Sequence, residues 1–208
     1  EEDIVHMIAV ARQRAESGIT SFAGLGECGL DRFWNGTGKH HDDSVDGPGT
    51  DDLAGEEALF CRQIQLAQKY CLPLIIHSRE AYDATLSILK SMNYHNGVIH
   101  CYSYGKSEAR KFLGLGWYIS FPGNITFAKK AADREQIQTL VSYIPDDRLL
   151  LETDAPYLTP VPHRGSVNTP WHVRFVYEKA AEFRNTDSAA LAETVFANAN
   201  TLFGITTE

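Results

Sequence analysis

Four side chains that can bind a metal ion follow apolar runs of the sequence. They are Glu27, His77, His100 and Asp154, and each comes directly or almost directly after a run that is typical of a buried strand. Because the carboxyl ends of parallel strands converge on the ligand site in α/β folds, we expect these four side chains to lie close together. Two imidazoles and two carboxylates are a suitable ligand set for one or two divalent ions.

Each of these residues alone has a simpler explanation. A histidine at the end of a strand is more often a hydrogen-bonded core residue than a ligand, and an aspartate after a strand commonly caps the next helix. However, burying carboxylates without a partner is costly, and the four residues occupy equivalent positions in successive units of the chain. We therefore predict a metal site.

Two arginines are candidates for binding a substrate phosphate. Arg79 comes two residues after His77, and Arg164 lies in the segment after Asp154. A planar guanidinium can bind phosphate through two parallel hydrogen bonds, which makes it suited to this task. The alternative for each is an arginine at the surface or one that pairs with a carboxylate.

Two further acidic residues, Glu152 and Asp31, have predicted roles other than metal binding. Glu152 lies on the same side of its strand as Asp154, because side chains alternate with a period of two. Glu152 is therefore predicted to orient a metal-binding side chain without contacting the metal itself. Asp31 has two possible roles, a similar supporting one or a structural cap, and we favour the structural role.

Helical and strand-like segments alternate along the chain, and this alternation predicts how the candidate ligands are positioned. The predicted strands are Phe22 to Gly26, Leu74 to Ile76, Val98 to Ile99, Tyr118 to Phe121 and Leu149 to Leu151. Alternating strands and helices predict βαβ units, hence an α/β fold with a parallel sheet covered by helices. A closed (β/α) barrel uses eight strands over about 250 residues, so we expect a barrel that is incomplete at its N-terminus.

The chain is predicted to form one domain, residues 1–208. A polar stretch that is rich in Gly and Asp, about residues 35–55, interrupts the alternation. We predict that it is a mobile loop. It contains His40, His41, Asp42 and Asp43, for which a solvated acidic loop is a better explanation than a second ion site.

Composition and charge exclude several functional classes. The net charge is -8 and the pI is about 5.5, so the chain lacks the basic field of a cationic nucleic-acid-binding domain. Its four cysteines are scattered, which indicates reduced thiols rather than a zinc ribbon or a disulfide framework. No apolar stretch is long enough to span a membrane. We expect a cytoplasmic protein with no membrane partner and no obligate protein partner.

Several blocks of the sequence resemble the TatD family of metal-dependent deoxyribonucleases. They are Gly-Glu-Cys-Gly-Leu-Asp (26–31), Ile-Ile-His-Ser-Arg-Glu (75–80), Val-Ile-His-Cys-Tyr-Ser (98–103), Tyr-Ile-Ser-Phe (118–121), Leu-Leu-Leu-Glu-Thr-Asp-Ala-Pro-Tyr-Leu-Thr-Pro (149–160) and Pro-His-Arg-Gly (162–165) with Asn168. The combination is specific, and the resemblance extends over nearly the whole chain.

The resemblance implies a TIM-like (β/α) barrel, a pair of divalent ions and DNA as the substrate. Glu27 would bind or bridge the metals, His77 and His100 would bind one of them, and Asp154 would bind metal or the attacking water and serve as general base. The ions would be Mg, Mn or Zn. The reaction would be hydrolysis of phosphodiester bonds, and cleavage from a strand end, as an exonuclease, is one form that it could take.

The chain departs from the family pattern in one respect. The first strand of the family normally carries a His-x-His pair, and this sequence contains none; His40 and His41 are adjacent. This predicts a sequence that lacks the N-terminal part of the barrel. Two alternatives to a nuclease remain open, namely a hydrolase of another ester, amide or aminoacyl-tRNA linkage, since one fold hosts many chemistries, and a binding protein without catalysis.

Overall fold

The computed structural model describes residues 5–7, 9, 10, 13, 23–33 and 52–205, and those before residue 23 are helical. Five strands follow in chain order: β1 (Leu25–Asp31), β2 (Leu74–Arg79), β3 (Gly97–Ile99), β4 (Tyr118–Phe121) and β5 (Leu149–Leu151). Six helices are labelled α1 (Leu53–Tyr70), α2 (Tyr82–Met92), α3 (Lys106–Gly114), α4 (Ala131–Tyr143), α5 (Val173–Arg184) and α6 (Ser188–Phe203). Short 3-10 helices cover Gly123–Thr126, Asp146–Arg148 and Pro170–His172.

The five strands form one parallel sheet in the order β1-β2-β3-β4-β5. Each pair of neighbouring strands is sequential in the chain, and helices α1 to α3 connect the first four strands. This arrangement confirms the predicted α/β class. All five carboxyl ends therefore lie along the same edge of the sheet, where the candidate ligands were expected.

Large apolar side chains between the sheet and the helices form the core. The fully buried ones include Phe60 and Ile64 of α1, Phe112 of α3 and Trp117 just before β4. Strand β2 shows how the two faces differ: Leu74, Ile76 and Ser78 are buried, whereas the alternate residues are half-buried. His77 belongs to the second set, so it lies on the face opposite to that core layer.

The structure corrects the position of the first strand. We predicted a strand over Phe22 to Gly26, but β1 runs from Leu25 to Asp31 and contains Glu27. The apolar run stops at Gly26, yet Cys28 and Leu30 continue the strand with buried side chains. Gly29 permits this pairing, because a Cβ there would lie 1.9 Å from the carbonyl oxygen of His77.

Glu27 lies at an irregularity of β1. The pairing with β2 shifts between Leu25 and Cys28, so the alternation of side chains is interrupted at Glu27. Such an irregularity redirects a side chain relative to a regular strand. Helix α1 begins at Leu53, inside the end of the predicted loop. Residues 35–51 of that loop lie outside the described residues. Among the described helices, none combines the length and hydropathy needed to cross a membrane.

Candidate metal centre

Three adjacent strands bring Glu27, His77 and His100 together. Each offers one ligand atom, and the three atoms lie within 4.8 Å of one another. Glu27 and His77 come from inside β1 and β2, and His100 follows the last residue of β3. The His77 and His100 rings are 5.6 Å apart between centroids. The side chain of His100 is only 5% exposed, whereas that of Glu27 is 59% exposed, so the group is open on the Glu27 side.

His100 has the surroundings of a metal ligand. Its Nε2 atom is buried and makes no hydrogen bond within the described part of the chain, although Glu27 Oε2 lies 3.4 Å away. Burial opposes a charge on this imidazole, but Glu152, Glu27 and Asp154 outweigh it and raise the pKa of His100. A buried nitrogen without a partner among several carboxylates is what a divalent cation would satisfy, so the residues fit a metal ion.

Glu152 holds His100 and the backbone beside it. Its Oε2 lies 3.5 Å from Nδ1 of His100, and its Oε1 accepts a hydrogen bond of 2.6 Å from the backbone N–H of Cys101. These contacts fit the predicted supporting role. Sequence reasoning did not single out Cys101, although it directly follows His100. Burial and the nearby carboxylates raise the pKa of the Cys101 thiol, which disfavours the thiolate form.

Asp31 holds His77 in the same manner. Its Oδ2 lies 3.0 Å from Nε2 of His77, and the Arg79 guanidinium binds both Asp31 oxygens, at 2.8 and 3.1 Å. Burial opposes charge on this carboxyl, but the hydrogen bonds from His77 and Arg79 lower the pKa of Asp31 to about 2. Asp31 also accepts from the backbone N–H of Phe33, so it combines the two roles considered from the sequence.

Asp154 lies beside the three-residue group but is not a member of it. It follows β5 by three residues, with a left-handed backbone (φ 57°), and its Oδ2 is 3.9 Å from Sγ of Cys101. Burial raises the pKa of Asp154, and the charges of Glu152 and Glu27 add to this effect against the opposing influence of His100. This carboxyl is therefore better suited to accept a proton than an ordinary exposed aspartate is.

The two candidate phosphate ligands lie in different surroundings. Arg79 pairs with Asp31 and lies over the Phe33 ring at 4.3 Å, which matches the carboxylate-paired alternative. Arg164 lies over the ring of Phe127, with its guanidinium carbon 3.7 Å from the ring centroid. The binding of phosphate by either arginine stays a prediction.

The side chain of Asn168 makes hydrogen bonds to the backbone of the segment around Asp154. Its side-chain Nδ2 donates to the carbonyls of Thr153 and Tyr157, at 2.7 and 2.6 Å, and its Oδ1 accepts from the backbone of Thr169. The side chain is almost fully buried, at 3% exposure. The backbone on both sides of Asp154 is thus held by one amide.

Comparisons with known proteins find a matching family and curated relatives. A sequence model of the family described as TatD related DNase matches residues 8–204. The chain is 37% identical over 196 residues to the uncharacterized metal-dependent hydrolase YcfH of Escherichia coli K12, covering 93% of this chain and 66% of that protein. It is 36% identical over 183 residues to the uncharacterized metal-dependent hydrolase YabD of Bacillus subtilis, covering 87% and 65%.

The fold is also similar to that of a solved structure. The crystal structure of YJJV, a TatD homolog from Escherichia coli K12, superposes with a TM-score of 0.75 at 28% identity, covering 94% of this chain and 69% of that one. This likeness agrees with the TIM-like barrel architecture expected from the resemblance. The chain spans slightly less than two thirds of the length of the two curated relatives.

Proposed function

Because this chain belongs to the family of TatD-related DNases, we propose that it contributes the metal centre of a divalent-metal-dependent hydrolase that cleaves phosphodiester bonds in DNA. The observation that carries the proposal is the convergence of ligand atoms of Glu27, His77 and His100 within 4.8 Å. Among them is the buried Nε2 of His100, which makes no hydrogen bond to the part of the chain that the structure describes. The names of the curated relatives support a metal-dependent hydrolase, and DNA as the substrate is our inference.

Each side chain of the candidate site has its own role in the proposed hydrolysis. Glu27, His77 and His100 would hold the cation. When bound, the cation lowers the pKa of a coordinated water from about 16 toward about 7 and stabilises charge on phosphate oxygens. Asp154, whose pKa is raised by burial, takes the proton of the attacking water as general base. Glu152 keeps the His100 ring in place and contributes negative charge that favours cation binding.

Arg164 is the better of the two candidates for contact with a substrate phosphate. The guanidinium of Arg79 already binds both oxygens of Asp31, so engaging a phosphate would compete with that pair. Arg164 makes no ion pair with the described residues, and its guanidinium carbon lies over the ring of Phe127. A guanidinium that is supported on an aromatic face keeps its planar edge available to phosphate oxygens.

Hydrolysis of single-stranded DNA with added Mg, Mn or Zn, and in EDTA, tests this proposal. Cleavage that requires metal and is lost in Asp154→Asn supports it, provided that the exposed control Asp133→Asn on α4 keeps wild-type activity. A linear end-labelled strand that is degraded while a circular strand stays intact would identify an exonuclease. A folded wild-type chain that binds metal but cleaves no DNA contradicts the proposal.

A further inference from the structure

Cys101 directs both its backbone and its side chain toward acidic residues of the candidate site. It directly follows His100, and its φ of 48° lies in the left-handed region, which residues with a side chain rarely adopt. Its backbone N–H donates to Oε1 of Glu152 at 2.6 Å. Its thiol donates to Oδ2 of Asp154, with 3.9 Å between sulfur and oxygen. A strained backbone at such a place indicates a function for the residue that adopts it.

The thiol is important to Asp154 because this carboxylate has few partners. In the part of the chain that the structure describes, no other group donates a hydrogen bond to the Asp154 side chain, and no basic side chain forms an ion pair with it. Its other oxygen, Oδ1, is therefore not engaged by a described residue. Among the described residues, the orientation of this candidate base depends on one sulfur atom.

The position of the sulfur is fixed by the backbone around it. Glu152 binds the N–H of Cys101, and the N–H of the next residue, Tyr102, donates to the carbonyl of Ser120 at 3.0 Å. The Tyr102 side chain is buried, and its hydroxyl donates to the carbonyl of Gly105 at 2.8 Å. The loop after β3 is thus well held, and the thiol connects it to the segment after β5. These two strands are separated by β4 in the sheet, so strand pairing does not connect them directly.

The contact between the thiol and the carboxylate belongs to the candidate metal site. The Nε2 atom of His100, the residue before Cys101, is buried and makes no hydrogen bond to the described residues. A buried nitrogen without a partner indicates a ligand beside it. The charge of His100 also acts on Asp154, so the two side chains share one electrostatic environment. The thiol therefore holds the carboxylate next to the position that we propose for the cation.

We propose that the Cys101 thiol positions Asp154 for proton transfer by donating to Oδ2, which leaves Oδ1 to accept a proton from the attacking water. The inference rests on the proposed hydrolase function and adds a positioning residue to it. In this step the O–H bond of the water breaks and its proton passes to Oδ1. The water oxygen bonds to phosphorus as the bond from phosphorus to the leaving oxygen breaks. The thiol keeps its own proton throughout.

A thiol is suited to this task because it is a weak hydrogen-bond donor. A hydrogen bond to a carboxylate stabilises its negative charge, so a strong donor would make Asp154 a weaker base. An arginine or a backbone N–H in the place of the thiol would orient the carboxylate but would also oppose the proton transfer. Cys101 orients Asp154 with little loss of its basicity.

Three substitutions of Cys101 and one control separate the thiol from other effects. Cys101→Ala removes the donor. Cys101→Gly also removes it, and glycine adopts the left-handed backbone without strain, so this variant folds even where alanine does not. Cys101→Ser retains a donor. Cys61→Ala is the matched control, because Cys61 is a half-buried cysteine on α1, away from the candidate ligands.

The measurements are kcat and KM for single-stranded DNA with Mn²⁺, together with Mn²⁺ affinity from isothermal titration. Cys101→Ala and Cys101→Gly should lower kcat roughly 10- to 100-fold, because misplacing a catalytic group by about 1 Å has an effect of this size. KM and Mn²⁺ affinity should stay near the wild-type values, since the ligands and the substrate contacts are unchanged. Cys101→Ser should recover much of the lost kcat, and Cys61→Ala should match the wild type.

The inference and the proposed function fail in different ways. Wild-type kcat in Cys101→Gly would overturn the inference, and so would a Cys101→Ser variant as slow as Cys101→Ala, because the donor would then be unimportant. Mn²⁺ affinity that falls as much as kcat would also overturn it, since Cys101 would then act on the metal ligands. All three results leave the proposed function standing. A wild type that binds Mn²⁺ but cleaves no DNA would refute the proposed function, and this inference with it.

Discussion

Asp31 orients one of the three candidate metal ligands. Its Oδ2 lies 3.0 Å from Nε2 of His77, and its other oxygen accepts from Nε of Arg79 and from the backbone of Phe33. Because a carboxylate accepts hydrogen bonds, the proton of the neutral imidazole lies on Nε2 and the lone pair lies on Nδ1. Asp31 thus fixes both the tautomer and the rotation of the His77 ring.

Replacing Asp31 by alanine should weaken metal binding about 10- to 100-fold, as the loss of such a supporting partner does at other metal sites. The physical reason is that the His77 ring can then rotate and change its tautomer. Isothermal titration with Mn²⁺ measures the effect without requiring activity. Glu57→Gln is the control, because Glu57 pairs with Arg32 and does not contact the three ligands.

The variant also removes the Asp31 carboxylate from beside Arg79, and the positive charge of Arg79 would then repel a cation more strongly. The double variant Asp31→Ala/Arg79→Ala separates the two effects. If it stays as weak as Asp31→Ala, orientation of His77 is the cause. Recovery to wild-type affinity in the double variant would show that charge is the cause and that orientation is unimportant.

The sequence predicts ligand types better than their partners. His77 and His100 could be identified because each lies at the end of an apolar run, and this position is a local property. The pairing of Arg79 with Asp31 joins residues that are 48 positions apart, so it depends on the register of β1 against β2. The residues around Arg79 in the sequence do not reveal how β1 and β2 are aligned. The sequence therefore leaves two roles for Arg79 open, namely binding a phosphate and pairing with a carboxylate.

At the scale of elements, two buried asparagines perform the same structural task at opposite ends of β5. Nδ2 of Asn168 donates to the carbonyls of Thr153 and Tyr157, after the strand. Nδ2 of Asn198, on α6, donates to the carbonyls of Asp146 and Leu149, before the strand and at its first residue. Both side chains are buried, at 3% and 8% exposure, so they form a matched pair.

Asn168→Ala and Asn198→Ala should each lower the free energy of unfolding by about 1–3 kcal/mol, because each removes two hydrogen bonds from a buried side chain to backbone carbonyls. Only Asn168→Ala should also reduce kcat, since Asn168 holds the backbone around Asp154. Urea unfolding and DNA cleavage measured on the same preparations check both statements. An equal loss of activity in the two variants would mean that stability alone, and not the position of Asp154, limits the reaction.

The ends of a strand can be predicted from the sequence where its residues form a continuous apolar run. The prediction fails where apolar and polar residues alternate within the strand. Strands β4 and β5 match their predicted residues, whereas β1 was placed too early. In β1 the polar positions Glu27 and Asp31 belong to the candidate site, and Gly29 is required by close contact with β2. The strand's apolar alternation is therefore interrupted at the positions that we propose for function.

At the scale of the whole molecule, the candidate ligands connect three neighbouring strands of the sheet. Glu27 comes from β1, His77 from β2 and His100 from the end of β3. Glu27, Glu152 and Asp154 also place several negative charges around His100, and these repel one another when no cation is present. A bound divalent ion would link the strands and neutralise that charge, and the unfolded chain does not preserve the ligand geometry.

Metal should therefore stabilise the fold. A ligand at about 100 times its Kd adds about 2.7 kcal/mol to the free energy of unfolding, which in a domain of this size raises Tm by about 5–10 °C. Calorimetric scans with Mn²⁺ and with EDTA give the shift directly. His100→Ala should abolish the shift whatever its own effect on Tm, and His95→Ala, which alters a histidine that packs on Trp117 away from the cluster, should keep it. An undiminished shift in His100→Ala would show that the ion binds elsewhere, and would remove the structural basis of the proposed hydrolase.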